Sequence, residues 1–272
     1  MGLTWALALS ITLMGVNVHA APRTLSLAPH LTELVYAVGG EAALVGVVEW
    51  SDYPAAALLQ PRIGDAFRLD LERIVGVQAE QALAWVGGTP PEAARRLEQL
   101  GLTVHWIETR TLDDIGQAMR QIGAALDAEE AADTAAREFS KAVAARRQQH
   151  PNYPPMRVFY QVSAQPLFTL GGQHVINEVF ALCGATNVFA DLNAEASAVD
   201  REAVLARSPD VIVIGGDGGG EQPSAHYADP ILAERTPVMV IHADFLVRPT
   251  PRLLHGVDQL CTQLQGLDDA TH

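Results

Sequence analysis

One block of sequence occurs twice, 130 positions apart. Asp70-Leu71-Glu72-Arg73-Ile74-Val75 leads through Ala79-Glu80 to Leu83-Ala84-Trp85, and Asp200-Arg201-Glu202-Ala203-Val204-Leu205 leads through Pro209-Asp210 to Val213-Ile214-Gly215. In each copy an Asp stands where it can cap a helix, a Glu falls in the first turn, and the short helix runs into an apolar strand. A carboxylate at a helix start stabilises it by about 0.3–1 kcal/mol. That accounts for either copy alone, but not for equivalent acids in both. A chain carrying this block once per half is constrained to build two similar units.

The rest of the pattern agrees. Apolar runs at 24–27, 44–48, 83–86 and 104–107 alternate with helical spacing, for example over 31–39. The second half repeats this with strands at 157–162, 211–214 and 238–241, a helix over 175–182 that Gly184 can end, and a helix over 252–264. Strands alternating with amphipathic helices predict α/β units with a mostly parallel sheet. Between the halves, 127–150 is rich in Ala, Glu and Arg and has no Gly or Pro, with Phe139 and Val143 its only large apolar residues. It predicts one long helix, ended by Pro151, Pro154 and Pro155. The expected architecture is α/β, with two Rossmann-like lobes joined by one long α-helix. Its boundaries are a leader over 1–20, an N-terminal lobe over 21–126, the connector over 127–150 and a C-terminal lobe over 151–272.

The first twenty residues carry no charged side chain, are almost continuously apolar over 3–18, and end in Val18-His19-Ala20. Small or β-branched residues three and one before a cut fit a cleaved export signal, although the usual basic residue near Met1 is missing. No cysteine near Ala20 offers a lipid anchor there. The formal net charge of -14 would repel nucleic acid. The two cysteines, Cys183 and Cys261, are either buried thiols or a disulfide; an oxidising compartment favours the bridge.

Enzyme motifs are missing. There is no G-x-x-x-x-G-K-[ST], no G-x-S-x-G and no H-E-x-x-H. The run Gly215-Gly216-Asp217-Gly218-Gly219-Gly220 follows a strand, but Glu221 replaces the third glycine of a dinucleotide turn, so it reads as a loop. The histidines show no metal-ligand spacing. His30 stands where the first strand gives way to a helix, an edge that often faces ligand in α/β sheets. Aromatic residues fall near the same strand ends: Trp50 and Tyr53, Phe67, Trp85, Phe168 and Phe245. Broad apolar faces there suit a bulky ligand. Trp106, inside a strand, reads as core.

These segments together resemble the periplasmic cobalamin-binding proteins of ATP-driven vitamin importers. The resemblance spans essentially the whole chain. It is carried by 26–33, VGVVEWSDYP at 45–54, LDLERIV at 69–75, AWVGG at 84–88, 166–171, NEVFALCG at 177–184, REAVLARSP at 201–209 and 244–252. It implies a cleft holding a corrinoid as cargo, with no cofactor, in a monomer that delivers to transmembrane permease subunits. It further implies ligand contacts at Trp50, Trp85, Phe168 and the loop Asp244, Phe245, Leu246, Val247, Arg248, docking through Glu72 and Glu202, and a Cys183–Cys261 disulfide. Phe67 and His30 complete the expected ligand set. Close cobalamin binders carry aromatic residues where this chain has Ala66 and Ala196. Haem or a ferric siderophore therefore stands as the alternative cargo, and a periplasmic hydrolase or transferase of the same architecture as the competing class.

Overall fold

The computed structural model describes residues 21–65, 67–149, 155–216 and 228–271, with side chains through residue 267. The expected leader, Ala66, Pro151, Pro154 and the glycine run beyond Gly216 lie outside the described residues.

In the first half, β1 (Thr24–Ser26), β2 (Leu44–Val47), β3 (Gln81–Trp85) and β4 (Thr103–Ile107) form a sheet in the order β2-β1-β3-β4, every neighbour parallel. The connecting helices are α1 (Pro29–Ala37), α2 (Leu71–Gly76) and α3 (Pro91–Gln99). Both faces of β3 are covered: Ala82 and Ala84 pack with Leu25 and Leu97, while Leu83 packs with Leu31 and Leu34. Burial on both sides is why β3 reads as a continuous apolar run. Trp106 departs from expectation. On edge strand β4 only Ile107 is buried, and Trp106 is 38% exposed.

Next, α4 (Leu112–Ala125) turns back into the connector α5 (Glu129–Gln148). The connector starts later than expected because Asp127 takes φ 55°, a left-handed turn that ends one helix before the next begins. Twenty residues at 1.5 Å each make it about 30 Å long. The two helices touch closely: a Cβ on Gly123 would lie 2.2 Å from the Cβ of Ala132.

The second half contains β5 (Met156–Ala164), β6 (Leu167–Leu170), α6 (Ile176–Leu182), β7 (Ala185–Asn187), β8 (Ala196–Ala198), α7 (Arg201–Ala206), β9 (Val211–Gly216), α8 (Pro230–Ala233), β10 (Val238–His242), α9 (Ala243–Val247) and α10 (Leu253–Thr271). The sheet order is β10-β9-β5-β6-β8, with β7 also pairing β5. β10, β9, β5 and β7 pair in parallel, but β6 and β8 add antiparallel. The sequence pattern shows no sign of β6, β7 or β8, which are too short, at three or four residues, to establish a period.

One core runs through both halves. It joins Leu31 and Leu34 of α1, Ile115 and Ile122 of α4, Ala132, Phe139 and Val143 of α5, Val158 and Tyr160 of β5, Val213 of β9 and Val257 and Leu260 of α10. The connector is thus a packed layer, not a free strut.

The sequence repeat is also a repeat in space. Asp70 Oδ1 accepts from the Arg73 amide at 3.1 Å, and Asp200 Oδ1 from the Ala203 amide at 2.7 Å. Each helix ends at a left-handed non-glycine residue, Gln78 (φ 50°) or Ser208 (φ 45°). An arginine from the neighbouring strand then clamps each end. Arg23 donates to the carbonyls of Val77 (2.7 Å) and Gln78 (3.1 Å), and Arg157 to those of Ser208 (3.2 Å) and Arg207. The amides of the same arginines donate to Glu80 and Asp210, each at 2.7 Å.

A Cys183–Cys261 disulfide ties the end of α6 to α10 across 78 residues. Closing a loop of that length restricts the unfolded chain. The Cys183→Ser, Cys261→Ser double variant is expected to lose up to roughly 4 kcal/mol of unfolding free energy in urea titrations. Wild-type protein with reductant should fall to the same value.

Candidate functional site

In open α/β sheets ligands bind beyond the carboxyl ends of the strands. In this chain those ends face one another across the two halves. Between them is a cavity of about 450 Å³, lined by Trp50 and Asp52 from the loop after β2 and by Gly215, His242, Asp244 and Arg248 from the ends of β9 and β10. Trp50 is 76% exposed and adopts φ 66°, a conformation a bulky side chain takes only under constraint. Part of the constraint is visible: Arg248 Nη2 donates to the Trp50 carbonyl at 3.3 Å.

Charge joins the two halves beside the cavity. Glu33 on α1 is buried, its side chain 2% exposed. Its carboxylate accepts from Arg248 Nη1 at 2.9 Å and from Arg252 Nε and Nη2 at 2.9 and 2.7 Å. Arg248 also donates to Asp52 at 2.7 Å and pairs with Asp244 at 3.0 Å. Arg252 stacks over the Tyr53 ring at 3.7 Å. Burial pushes the Arg248 guanidinium towards its neutral form, but the hydrogen bonds it donates to Asp52 and Glu33 outweigh this and hold its pKa above the ordinary range. Burial likewise works to raise the Asp52 carboxyl, and Arg248 overrides it and holds it low.

A second cluster lies at the ends of β1 and β3. His30 is buried and meets the Trp85 ring edge-on, centroids 4.9 Å apart. The indole lies over Gly88, where a Cβ would fall 1.8 Å from the ring. His30 Nε2 and Trp85 Nε1 are buried and have no hydrogen-bond partner among the described residues. Burial, then the charges of Arg248 and His174, bring the His30 pKa down to about 3, and burial alone brings His174 to about 4. From the other half, a Glu195 carboxylate oxygen approaches Gly87, whose φ of 98° disfavours any side chain. Burial raises the Glu195 carboxyl against the pull of Arg110.

The other expected site residues are placed as follows. Phe245 stacks on His242 at 4.4 Å. Phe168 is half-buried on β6, paired with Ala198. Phe67 is exposed over a separate hollow of about 240 Å³ beside α2 and α3. Val247 is half-buried against the core, and Leu246 is fully buried in it. Leu246 therefore departs from the expected ligand set: α9 turns it inward while Asp244 and Arg248 face the cavity. Glu72 and Glu202 are both exposed, on α2 and α7. Ala196 is exposed on β8. Sequence reasoning did not single out Glu33, Asp52, His242 or Arg252. Glu33 had a signal: an acid inside the buried stripe Leu31, Leu34, Val35 calls for a cationic partner.

Removing Glu33 leaves two arginines of a mostly buried seam short of a carboxylate, so Glu33→Leu is expected to cost roughly 3 kcal/mol in denaturant unfolding, even though Arg248 keeps Asp52 and Asp244 and Arg252 stays 3.7 Å from Asp244. His30 and His174 are held neutral when folded, whereas the unfolded chain takes up their protons near 6.5. Their stabilisation is complete above pH 6.5 and is lost as pH falls from there towards about 4 and about 3. Urea unfolding at pH 7 and pH 5 should show the loss, and His174→Gln should remove about half of that pH dependence.

Residues 25–234 match the family model described as periplasmic binding protein. The chain is 37% identical over 247 residues to a vitamin B12-binding protein of Vibrio cholerae, covering 90% of each. It is 34% identical over 263 residues to one of Salmonella typhi, covering 97% of each. Among solved structures, the periplasmic vitamin B12-binding protein of Vibrio cholerae superposes with a TM-score of 0.78 at 35% identity, covering 91% of this chain and 98% of that one. A periplasmic heme-binding protein of the same organism gives 0.76 at 22% identity, covering 89% and 98%, a likeness of fold alone. With paired α/β sheets, a packed connecting helix and a cavity at the facing strand ends, the chain belongs to the periplasmic binding protein family.

Proposed function

We propose that this chain is a monomeric periplasmic carrier, exported with a cleaved signal, that captures cobalamin or a related corrinoid without chemical turnover. It then delivers the cargo to the permease of an ATP-driven importer. The observation that carries this reading is the cavity built from both halves, with the exposed Trp50 on one wall and Arg248 on the other. Its occurrence in a chain 37% identical to a vitamin B12-binding protein makes a corrinoid the leading cargo.

Each part of the site has a task in this mechanism. Trp50, Phe168 and Phe245 offer apolar faces to the broad macrocycle. Asp244 and Arg248 meet its polar rim. The unpartnered nitrogens of His30 and Trp85 are hydrogen-bonding positions in the same seam, suited to the amide groups around a corrinoid. Glu72 and Glu202 sit on equivalent helices, and a permease of two equal subunits would present equivalent basic residues to them. Rim charge pairs of this kind are screened by salt, so docking weakens as ionic strength rises.

Calorimetric titration with cyanocobalamin, haemin and a ferric siderophore tests the cargo. Saturable binding of cyanocobalamin alone is expected, with Trp50→Ala weakening it roughly tenfold. Tighter binding of haemin or the siderophore would move the assignment to that cargo. The Glu72→Ala, Glu202→Ala double variant should bind cyanocobalamin as wild type does and fail to support its uptake by cells lacking their own copy. Undiminished uptake would reject the docking role.

A further inference from the structure

The two docking helices share a feature that the charge reading leaves unexplained. Val75 on α2 is 59% exposed and Leu205 on α7 is 38% exposed. They stand 130 positions apart, like Glu72 and Glu202, and each follows its glutamate by three residues. On a helix that spacing puts both side chains on one face, with Cβ atoms about 5–6 Å apart. The inward face is already supplied by Ile74 and Val204, both buried. The outward residue is therefore not needed to hold the helix on its sheet.

A single exposed valine or leucine is ordinary on a protein surface. Recurrence beside an equivalent acid in two halves that otherwise differ in sequence is not. The presentation is also rigid. An aspartate caps each helix start, and Arg23 or Arg157 clamps each end, so the outward pair is preorganised.

We infer that Val75 and Leu205 are the apolar half of each docking point. This rests on the docking role proposed for Glu72 and Glu202. The occupant is the permease dimer, each subunit offering an apolar recess next to its basic residue. The carboxylate steers and orients, while the apolar side chain, on losing water, supplies affinity that salt does not screen.

The test is binding of the full chain to the source organism's vitamin B12 permease complex held in nanodiscs, measured across a salt series. Val75→Ser with Leu205→Ser should weaken docking on the order of thirty-fold, with each single substitution contributing about half on a logarithmic scale. The loss should persist at high salt, whereas that of the Glu72→Ala, Glu202→Ala variant shrinks there. Cyanocobalamin affinity and melting temperature of the serine variant should match wild type. Wild-type docking by the serine variant, with docking lost in the alanine variant, overturns the inference and leaves the charge reading standing. Wild-type docking by the alanine variant removes the basis of both. If wild-type chain self-associates in sedimentation and the serine variant does not, the face belongs to a second copy and the inference also fails.

Discussion

One buried carboxylate ties the two halves together at the seam beside the cavity. Glu33 lies in the apolar stripe of α1, where an unpaired charge would cost several kcal/mol. The first half supplies no cation to it among the described residues; Arg248 and Arg252 reach it from the second. The cavity follows from this closure. Arg248 spans Glu33, Asp52, Asp244 and the Trp50 carbonyl, so the same side chain that fixes the seam fixes the wall facing the cargo. Opening the seam means exchanging these partners for water or for polar groups of a ligand.

Much of this is legible in the sequence. Buried parallel strands announce themselves as unbroken apolar runs, as Ala82–Trp85 of β3 and Val211–Ile214 of β9 do. The connector was visible from its alanines and its lack of glycine and proline. The repeat pointed to equivalent helices because capping chemistry is local. What was not legible depended on neighbours distant in sequence. Trp106 looked like core because strand pattern alone cannot distinguish an edge from a centre. Leu246 looked like a loop contact because the direction of a five-residue helix is set by packing. Asp52 and its partner Arg248 lie 196 residues apart, Glu33 and Arg252 lie 219 apart, and no period links either pair.

The twin arginine clamps add something to the repeat that sequence similarity did not carry. Arg23 and Arg157 do not share the spacing of 130, yet each satisfies carbonyls at the end of its helix and donates its amide to the acid just before the next strand. The conserved element between the halves is thus a local assembly of strand, helix and clamp, whose sequence was free to vary where only backbone groups are bound.

The continuous core has a consequence for how the molecule comes apart. With α4, α5 and α10 sharing side-chain contacts with both sheets, neither half owns a complete interior. Cutting the chain at the connector would leave each fragment with a bare apolar flank. The molecule should therefore melt as a single cooperative unit, and any cargo gripped at the seam would protect remote strands as fully as those it touches.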